Sequence, residues 1–575
     1  MPPVEAGEQQ CIARIGSVTG GLAGTVVKMS PNTYDAIVVG GGHNGLVAAA
    51  YLAKAGKRTV VLERRPVTGG AAITEQPWGP DYKVTMLSYV VSLLPPSIRK
   101  DLQLEKHGYK VYAQGPYFVP YPDGRSLQLP SDSGARRREI AKFSVHDADA
   151  MDRWEAWLHD LAGVLGPLLS SVPPNLGSRS PSDLLDQAKL VWRLRKDLDP
   201  RRIGEITRLF TTSIADLLDE HFTSPEMQGV LSVSGVIGTW AGPRSPGTAF
   251  VMAHHQIGDV GDGEQLGSWG FPEGGMGGLT TAMASAARAF GAEIRTDADV
   301  ARISVVNGRA TGVVLDDGVE LVAPIVVTTV HPKIGFLKLI ERSALPDSFV
   351  ADIERWQTRS GTVKVNLAVD RLPEFTAKPG GFDPAVHGGT IVLARSLDEV
   401  ETAFQEAVVG RPATRPFADI CIPSVFDSTL APEGQHIVSM FTQWVPKDWA
   451  SEPHQDDLEA YADRVVGLVD EVAPGFASSV LHRKVIGPCE METTYGLVGG
   501  NIFHGELSPN QLFHMRPAVG FADIRTPVRG LYHPSSATHG GGGVTGIPAL
   551  QAVRAIEADE KSARWRRRAH VRKES

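Results

Sequence analysis

The hydrophobic pattern is clearest near the amino terminus, where two apolar runs flank a segment of small residues. Tyr34–Val39 is a short, mainly apolar run, which is typical of a strand buried on both faces. Leu46–Ala55 has the composition of a closely packed helix, and Gly56 suits its carboxyl-terminal end. Thr59–Leu62 predicts a second buried strand. Strand, helix and strand in this order predict a parallel α/β unit.

A glycine-rich turn joins the first strand to the helix. Gly40, Gly42 and Gly45 stand at GxGxxG spacing. Gly40 permits the tight turn, Gly42 lets the backbone approach a pyrophosphate, and Gly45 lets the helix pack close to the strand. The helix amino terminus supplies amide donors to phosphates. Glu63 follows Gly45 by 18 residues and is placed to accept from ribose hydroxyls, so the unit predicts a dinucleotide site. The predicted contacts in this unit are Gly40, Gly42, His43, Asn44, Gly45 and Glu63.

The residues after Glu63 bear on which dinucleotide binds. Gly69 and Gly70 follow the acid by six and seven residues, so backbone amides can return to the same pyrophosphate. This arrangement resembles the glutathione-reductase-like FAD proteins of the amine oxidase and phytoene desaturase branch. The resemblance implies FAD as cofactor and adds Arg64, Gly70 and Ala71 to the predicted contacts. An NADP 2′-phosphate beside Arg64 is the weaker alternative because Glu63 would repel it, and a tight turn without ligand is the structural alternative.

Helical and extended patterns alternate in the middle of the chain. Amphipathic periodicity predicts helices at Asp147–Leu165, Asp183–Arg195 and Ile203–His221. Val363–Val369 and His436–Trp444 predict strands of a second sheet.

A second glycine cluster and a strand meander lie between these two parts. Gly270–Thr281 does not follow an apolar strand, so it is not a second nucleotide fingerprint, and Ala282–Phe290 predicts a helix after it. A meander begins at Val300, with Asn307-Gly308 and Asp317-Gly318 at its two hairpin turns.

Another glycine loop opens a helix near the carboxyl terminus. Gly540–Gly543 precedes Val544, Thr545 and Gly546, and Thr545 suits the N-cap. A glycine loop at a helix start is an anion site. Beside a flavin it would face N1 and the C2 carbonyl, where charge sits after hydride reaches N5.

This loop and the segments before it are similar to the phytoene desaturase-like family of pyridine nucleotide-disulfide oxidoreductase domain-containing protein 2. The similarity covers about residues 34–555 and rests on Asn501–Glu506, Arg516-Pro517, Gly530–Tyr532 and Thr538–Gly546. The chain departs from the family's Cys, Gly, Gly and Pro at Pro534, Ser535, Ala537 and Gly540, which bears on how tightly the loop holds the ribityl chain. The resemblance implies an adenine contact at Val300 and flavin contacts at Ser536, Gly543, Val544 and Thr545.

Composition narrows the classes of function. The 575 residues include 57 Lys and Arg against 65 Asp and Glu, a formal net charge of −8, which disfavours a nucleic-acid binder. Cys11, Cys421 and Cys489 are far apart and form no Cys-x-x-Cys, and the chain lacks a second GxGxxG after a strand. The disulfide reaction in the family's name is therefore excluded. His254 and His255 are adjacent, which does not put both imidazoles on one helix face, and no metal site is predicted.

The two ends differ from the rest of the chain. Residues 1–33 predict a disordered extension without the features of a secretory or mitochondrial signal, and Met29 is an alternative start. Lys561–Ser575 carries seven Lys or Arg and one acid, which predicts a solvated basic tail over 559–575. Contact with a membrane surface or a partner is the sharper interpretation of this tail. Ala36–Ala53, the longest apolar stretch, contains four glycines and fits strand, turn and helix better than a membrane span.

The candidate catalytic residues lie near the carboxyl terminus. His539 is the titratable residue nearest the expected flavin ring, and His504 and Glu506 are placed to reach the same pocket. Each of the three has a structural alternative, which for His539 is a hydrogen bond that stabilises the loop. Hydride transfer to N5 depends on positioning more than on a strong base.

We therefore predict an α/β fold with a Rossmann-like, glutathione-reductase-type FAD-binding domain and a mixed α+β substrate domain. The FAD domain comprises 34–100, 268–335 and 520–558, and the substrate domain comprises 101–267 and 336–519. The predicted activity is hydride transfer between FAD and an apolar, polyene- or isoprenoid-like small molecule in the cytoplasm, with peripheral membrane contact as an option. A flavin-dependent isomerase without net redox change and a lipid-binding protein on the same fold are the alternatives. The direction of reaction, the electron acceptor and the oligomeric state are left open.

Overall fold

A computed structural model describes residues 32–175, 181–195, 199–258 and 268–574. The prediction of a disordered extension over 1–33 therefore lies outside the described residues except at its last two positions. Thr33 forms a parallel bridge with Val322, and the Tyr34 N–H donates to the Val322 carbonyl over 2.9 Å.

The strands belong to two large sheets, a meander and two short pairs. In chain order they are β1 (Ala36–Val39), β2 (Thr59–Leu62), β3 (Thr74–Glu75), β4 (Val84–Thr85), β5 (Val111–Ala113), β6 (Tyr117–Pro120), β7 (Ser126–Leu129), β8 (Gly270–Pro272), β9 (Glu293–Arg295), β10 (Val300–Val306), β11 (Arg309–Leu315), β12 (Glu320–Val322), β13 (Ile325–Thr328), β14 (Thr362–Val369), β15 (Thr390–Leu393), β16 (Phe417–Cys421), β17 (His436–Gln443), β18 (Val480–Ile486) and β19 (Leu531–Tyr532).

The α-helices cover the sheets, and most of them lie between strands along the chain. They are α1 (His43–Lys54), α2 (Pro96–Leu102), α3 (Ser133–Ile140), α4 (Val145–Ser170), α5 (Pro181–Leu194), α6 (Pro200–Thr211), α7 (Ile214–His221), α8 (Pro225–Val233), α9 (Thr248–His255), α10 (Met276–Ala289), α11 (Pro332–Leu337), α12 (Asp347–Arg355), α13 (Pro384–His387), α14 (Leu397–Val408), α15 (Gln455–Val472), α16 (Pro488–Thr493) and α17 (Ile547–Glu574). Within the described ranges, no helix is both long and apolar enough to cross a bilayer.

A five-stranded parallel sheet in the order β19-β13-β1-β2-β9 forms the first layer. Its strands come from three distant parts of the chain, within the segments predicted for the FAD domain. Successive β1 residues face opposite sides. Ala36 and Val38 pack against α1, α10 and α17, while Ile37 and Val39 pack toward the meander and α12. Both faces are thus covered, as a parallel sheet requires.

A seven-stranded mixed sheet in the order β18-β14-β17-β16-β15-β6-β7 forms the second layer. On β14 the residues Val363, Val365 and Leu367 enter the large core shared with α4, α9 and α15. Lys364 and Asn366 alternate with them and therefore face the other side, toward the first sheet.

Two predicted helices and the predicted basic tail differ from what is observed. The helix predicted over Ile203–His221 is two helices, because the Ser213 hydroxyl and the Asp216 carboxylate form a capping box that starts α7. The helix predicted at Ala282–Phe290 begins at Met276, inside the glycine cluster, because Gly278 passes close to the Glu273 carbonyl. The basic end of the chain continues α17 to Glu574 instead of forming an irregular tail.

Candidate functional site

A cavity of about 530 Å³ lies between the two large sheets. This volume falls within the range of cofactor and small-molecule sites, roughly 300–1,000 Å³. One part of its wall comes from the glycine turn after β1, and the opposite part from the polar face of the second sheet. The predicted contacts that line it are Gly40, Gly42, His43, Asn44, Glu63, Arg64, Gly70, Ala71, Val300, Ser536, Gly543 and Val544.

The glycine turn leaves room for a ligand at the amino terminus of α1. Gly42 precedes the helix in an extended conformation and has no side-chain cap, so the first helical amides stay available to a phosphate. A Cβ on Gly42 would meet only Gly70 Cα, at 3.9 Å. Gly45 does not line the cavity. A Cβ there would lie 1.9 Å from the Gly40 carbonyl oxygen, which is the close helix-to-strand approach predicted for it.

Glu63 sits at the end of β2 and orders the turn. Its carboxylate accepts from the Gly41 N–H over 2.8 Å and from the Arg65 N–H over 3.0 Å. A carboxylate has about four acceptor positions, so the ribose hydroxyls predicted for it can still bind. The Arg64 guanidinium donates to the carbonyls of Thr493 and Thr494, which fixes this part of the wall.

Four histidines gather where strands of the parallel sheet end. His43 follows β1, His331 follows β13, His533 follows β19, and His504 comes from the loop after α16. Each has one buried ring nitrogen without a hydrogen-bond partner, and Asn44 Oδ1 is also unpartnered. Burial lowers the pKa of His43 to about 4 and the pKa values of His504 and His533 to about 3. The rings of His43, His331 and His504 and the carboxamide of Asn44 line the cavity and fit a dinucleotide, which offers many polar partners, whereas His533 does not line it.

The carboxyl-terminal loop closes the cavity from a third direction. Val544 has a positive φ of 61°, which is strained for a β-branched residue and turns the backbone at the cavity wall. Thr545 lies behind the wall. Its hydroxyl donates to the Gly540 carbonyl over 3.1 Å and accepts from the Ile547 N–H over 3.2 Å. The sequence predicts Thr545 at the N-cap position, but the residue directly before α17 is Gly546. Thr545 therefore caps the helix from one residue before the N-cap.

The structure separates the three candidate catalytic residues. His504 lines the cavity. His539 lies outside it, against Phe513, and its Nε2–H donates to the Leu168 carbonyl over 3.0 Å. Burial lowers the pKa of His539 to about 4. This is the loop-stabilising hydrogen bond that the sequence left as an alternative.

Glu506 also lies outside the cavity and forms an ion pair. Its two carboxylate oxygens accept from Arg359 Nε and Nη2, both over 2.7 Å, and one of them accepts from the Arg359 N–H over 3.0 Å. Only 4 % of Glu506 is exposed. These contacts join the loop of residues 501–516 to the segment that enters β14.

We expect Glu506→Gln to lower stability and to leave substrate turnover nearly unchanged. The amide keeps one acceptor but loses the charge-assisted bidentate pair, a loss of about 1–3 kcal/mol. Urea unfolding measures the free energy, and kcat measures turnover. A drop in kcat of a hundredfold or more in the folded variant would instead place Glu506 in the chemistry.

Sequence reasoning missed a polar group on the second sheet. Lys364, Phe441 and Asp419 stand side by side on three neighbouring strands, since Lys364 pairs with Phe441 and Phe441 pairs with Asp419. Tyr89 stacks on Phe441 with ring centroids 6.2 Å apart. Lys364 Nζ lies 4.7 Å from the Tyr89 ring centroid, and the Tyr89 hydroxyl is near enough to Asp419 to oppose the rise in the pKa of its carboxyl that burial causes. All four residues line the cavity.

Comparison with known proteins decides the family. Residues 38–100 match the NAD(P)-binding Rossmann-like domain, and residues 96–486 match the flavin-containing amine oxidoreductase family. The chain belongs to the flavin-containing amine oxidoreductase family. It is 40% identical over 549 residues to pyridine nucleotide-disulfide oxidoreductase domain-containing protein 2 of Rattus norvegicus, covering 92% of this chain and 94% of the relative.

Two more distant proteins are also similar to this chain, and their names indicate different substrates. A limonene dehydrogenase component of Castellaniella defragrans is 25% identical, with 91% of this chain and 94% of the relative covered. The structure of cyclohexylamine oxidase from Brevibacterium oxydans superimposes with a TM-score of 0.56 at 17% identity, covering 92% and 99% of the two chains. The predicted FAD cofactor, oxidoreductase class and Rossmann-like fold are confirmed.

In this flavoprotein the residues fit FAD at named places. Glu63 and Val300 would hold the adenosine part, the α1 amino terminus and Gly70 would hold the pyrophosphate, and Ser536, Gly543 and Val544 would hold the flavin part. When bound, FAD supplies a two-electron acceptor and donor. The chain's own part is to hold it, to exclude water and to present the polar wall of Lys364 and Asp419.

Burial moves the pKa values of that wall toward neutrality. It lowers the pKa of Lys364 to about 7, and it raises the pKa of Asp419 to about 7 against opposing hydrogen bonds and the Lys364 charge. Burial also raises the pKa of the Tyr89 hydroxyl well above its usual value. A lysine and a carboxyl that both titrate near pH 7 are suited to proton exchange with a substrate.

We expect Asp419→Asn to change how stability depends on pH. In wild type the raised pKa stabilises the fold at low pH, and this contribution is lost as pH rises from about 4 through 7. The free energy of unfolding of the variant, relative to wild type, should therefore increase over that range by up to about 4 kcal/mol. Urea titrations at each pH measure the difference.

Asp147→Asn is the matched control. Burial raises the pKa of Asp147, but hydrogen bonds from Ser224 and Thr223 outweigh this and lower it well below the usual range. Its contribution is fully present above about pH 4, so Asp147→Asn should shift the curve downward in parallel between pH 5 and 8. If the Asp419→Asn difference is equally flat there, Asp419 does not titrate near neutrality.

Proposed function

We propose that this flavoprotein transfers hydride between FAD and a small molecule with a largely apolar body. The observation that carries the proposal is a group of apolar side chains on the wall of the cavity. These are Leu93, Ile237, Trp269, Phe441, Ile502 and Phe503. Such a surface favours hydrocarbon by roughly 25 cal/mol for each Å² removed from water.

The names of two similar proteins support an apolar body. Limonene is a hydrocarbon, and cyclohexylamine is a hydrocarbon ring with one amine. The enclosed cavity supports hydride transfer, because exclusion of water protects the reduced cofactor and fixes the reacting atoms. A polyene or isoprenoid is one member of this substrate class.

The test begins with the absorbance spectrum of the purified chain and of the ligand released by heat. We expect about one FAD per chain. Under anaerobic conditions, limonene, cyclohexylamine and a linear polyene are then added separately, and loss of the oxidised flavin absorbance is followed. Reduction by at least one of these compounds, and not by glucose or an amino acid as polar controls, is the expected result.

Three outcomes would overturn the proposal. A colourless protein that does not take up added FAD would remove the cofactor on which it depends. A flavoprotein bleached only by polar compounds would remove the apolar substrate. Conversion of a polyene isomer that needs reduced flavin and consumes no electrons would replace hydride transfer with isomerisation.

A further inference from the structure

The polar wall opposite the glycine turn is costly for a protein that binds only hydrocarbon. Asp419 is 6 % exposed and Lys364 is 1 % exposed. Burying charged groups carries a desolvation penalty of several kcal/mol for each ion, and apolar residues of the same volume often stabilise a fold better. A polar wall is therefore expected to serve a ligand group that needs it.

The contacts around Asp419 show which of the two charged groups is the more available. Lys364 Nζ donates to Asn366 Oδ1 over 3.1 Å and also to the Ser439 hydroxyl, and it faces the Tyr89 ring. Its three donors are thus engaged within the described residues. Asp419 lies near the Tyr89 hydroxyl, which opposes the rise in the pKa of its carboxyl that burial causes, and has a long contact of 3.9 Å from Cys421 Sγ. These contacts leave acceptor positions on a carboxylate that lines the cavity.

Further polar side chains lie beside Asp419 on the cavity wall, and none of them carries a positive charge. Thr390 pairs with Tyr117 on the neighbouring strand, and the Gln114 amide donates to the Thr390 hydroxyl. Tyr117, Gln114 and Thr390 also line the cavity. Hydroxyls and an amide beside one carboxylate favour a ligand group that donates hydrogen bonds.

We propose that Asp419 and Tyr89 form a polar subsite that binds a hydroxyl donor at one end of an otherwise apolar substrate. This inference rests on the proposed function and narrows its substrate class. The donor group binds the Asp419 carboxylate, and the hydrocarbon body lies along Phe441 toward Phe503.

The experiment compares two ligands of nearly equal size, cyclohexanol and methylcyclohexane, on the FAD-loaded chain. Dissociation constants come from the change in the flavin absorbance spectrum. We expect cyclohexanol to bind about tenfold or more tightly than methylcyclohexane, because its hydroxyl can donate to Asp419 and methylcyclohexane has no donor. Asp419→Leu should bring the ratio close to one, and Tyr89→Phe should reduce it.

Asp147→Asn removes another buried carboxylate, remote from the cavity, and should keep the wild-type ratio. If Asp419→Leu does not fold, Asp419→Asn and Tyr89→Phe carry the test. A ratio near one in wild type, or a ratio unchanged in all Asp419 and Tyr89 variants, would overturn the subsite. Tighter binding of cyclohexanecarboxylate that depends on Lys364 would also overturn it, in favour of an anion. Absence of FAD would instead count against the proposed function itself.

A second inference comes from an independent feature, the exposed side of α5. Leu184, Leu185, Val191 and Trp192 are 50 %, 56 %, 70 % and 67 % exposed. Their spacing puts them on one side of the helix, together with Ala188. A contiguous apolar stripe of this kind marks an interaction surface.

The charged residues in the segment that contains the stripe indicate what kind of partner it binds. Residues 183–202, which include the stripe, contain six Lys or Arg against four Asp, a local net charge of +2 in a chain whose net charge is −8. The preceding helix α4 ends against the carboxyl-terminal loop and α17. The Leu168 carbonyl accepts from His539 in that loop, and the Ser170 carbonyl accepts from Gln551 on α17. We infer that α5 lies in the surface of an anionic bilayer, which would supply an apolar substrate near the cavity.

Sedimentation with vesicles tests this inference. The full chain should bind vesicles of phosphatidylcholine with phosphatidylglycerol and bind pure phosphatidylcholine weakly. Trp192→Glu combined with Leu185→Glu should lower the bound fraction at least fivefold, while Val306→Glu, at another exposed apolar position, should not. No binding by wild type, or unchanged binding of the double variant, would overturn the inference. A change of solution mass in the double variant would make the stripe an interface between copies.

Discussion

The Gly42→Val variant is expected to fold and to contain no FAD. Gly42 has φ −70° and ψ 174°, an extended conformation that valine readily adopts, and its Cβ would meet only Gly70 Cα. The added methyl groups would instead fill the space at the α1 amino terminus where a pyrophosphate must approach the backbone. We expect the dissociation constant for FAD to rise by more than a hundredfold.

The ratio of flavin to protein absorbance measures this loss, and circular dichroism reports the fold. Gly163→Val, on a part of α4 with open space around its Cβ, should keep full flavin content. Gly45→Ala should fail differently, with loss of the fold, because its Cβ would overlap the Gly40 carbonyl. Wild-type flavin content in Gly42→Val would show that the pyrophosphate does not bind at this turn.

The glycine turn could be predicted because all its parts are consecutive in sequence. The strand, the three glycines, the helix and Glu63 span about thirty residues, and each imposes a local condition on the next. The bounds predicted for β2 agree with those observed, and β10 starts at Val300 and ends just before the Asn307-Gly308 turn, as predicted, since both strands lie next to clear turn signals. Ile203–His221 was predicted wrongly as one helix because apolar periodicity continues through a break that one serine hydroxyl and one aspartate create.

The polar wall could not be predicted because its members are far apart along the chain. Tyr89, Lys364 and Asp419 come together only through the register of three strands and one loop. A local signal did exist, since Thr362, Lys364 and Asn366 alternate with apolar residues on a strand expected to be buried. The sequence does not show whether such a face meets water or a cavity. His539 illustrates the converse, because its place next to the glycine loop did not reveal that its ring turns away from the cavity.

The second large effect is expected at Arg516, which joins the loop of residues 501–516 to the segment before α17 that contains Ser536. Its guanidinium is 3 % exposed and donates to five backbone carbonyls over 2.9–3.4 Å. The accepting residues are Phe503, Gly505, Glu506, Gln511 and Ser536. Burial lowers the pKa of Arg516 to about 9, so the side chain is still charged at neutral pH.

Arg516→Met should therefore lower the free energy of unfolding by about 3–5 kcal/mol, because each buried carbonyl left without a donor costs about 1–3 kcal/mol. Arg516→Lys should recover little of this loss, since a compact ammonium cannot reach the carbonyls that the planar fork spans. Flavin should dissociate at a lower urea concentration than in wild type, because Ser536 lines the cavity and loses its tie to the neighbouring loop. Tryptophan fluorescence and flavin release measure both effects. Arg355→Met is the control, since Arg355 is largely exposed and forms a surface ion pair with Asp352 three residues away, so we expect a change below about 0.5 kcal/mol. Equal urea midpoints for Arg516→Met and wild type would mean that the two loops hold together without the guanidinium.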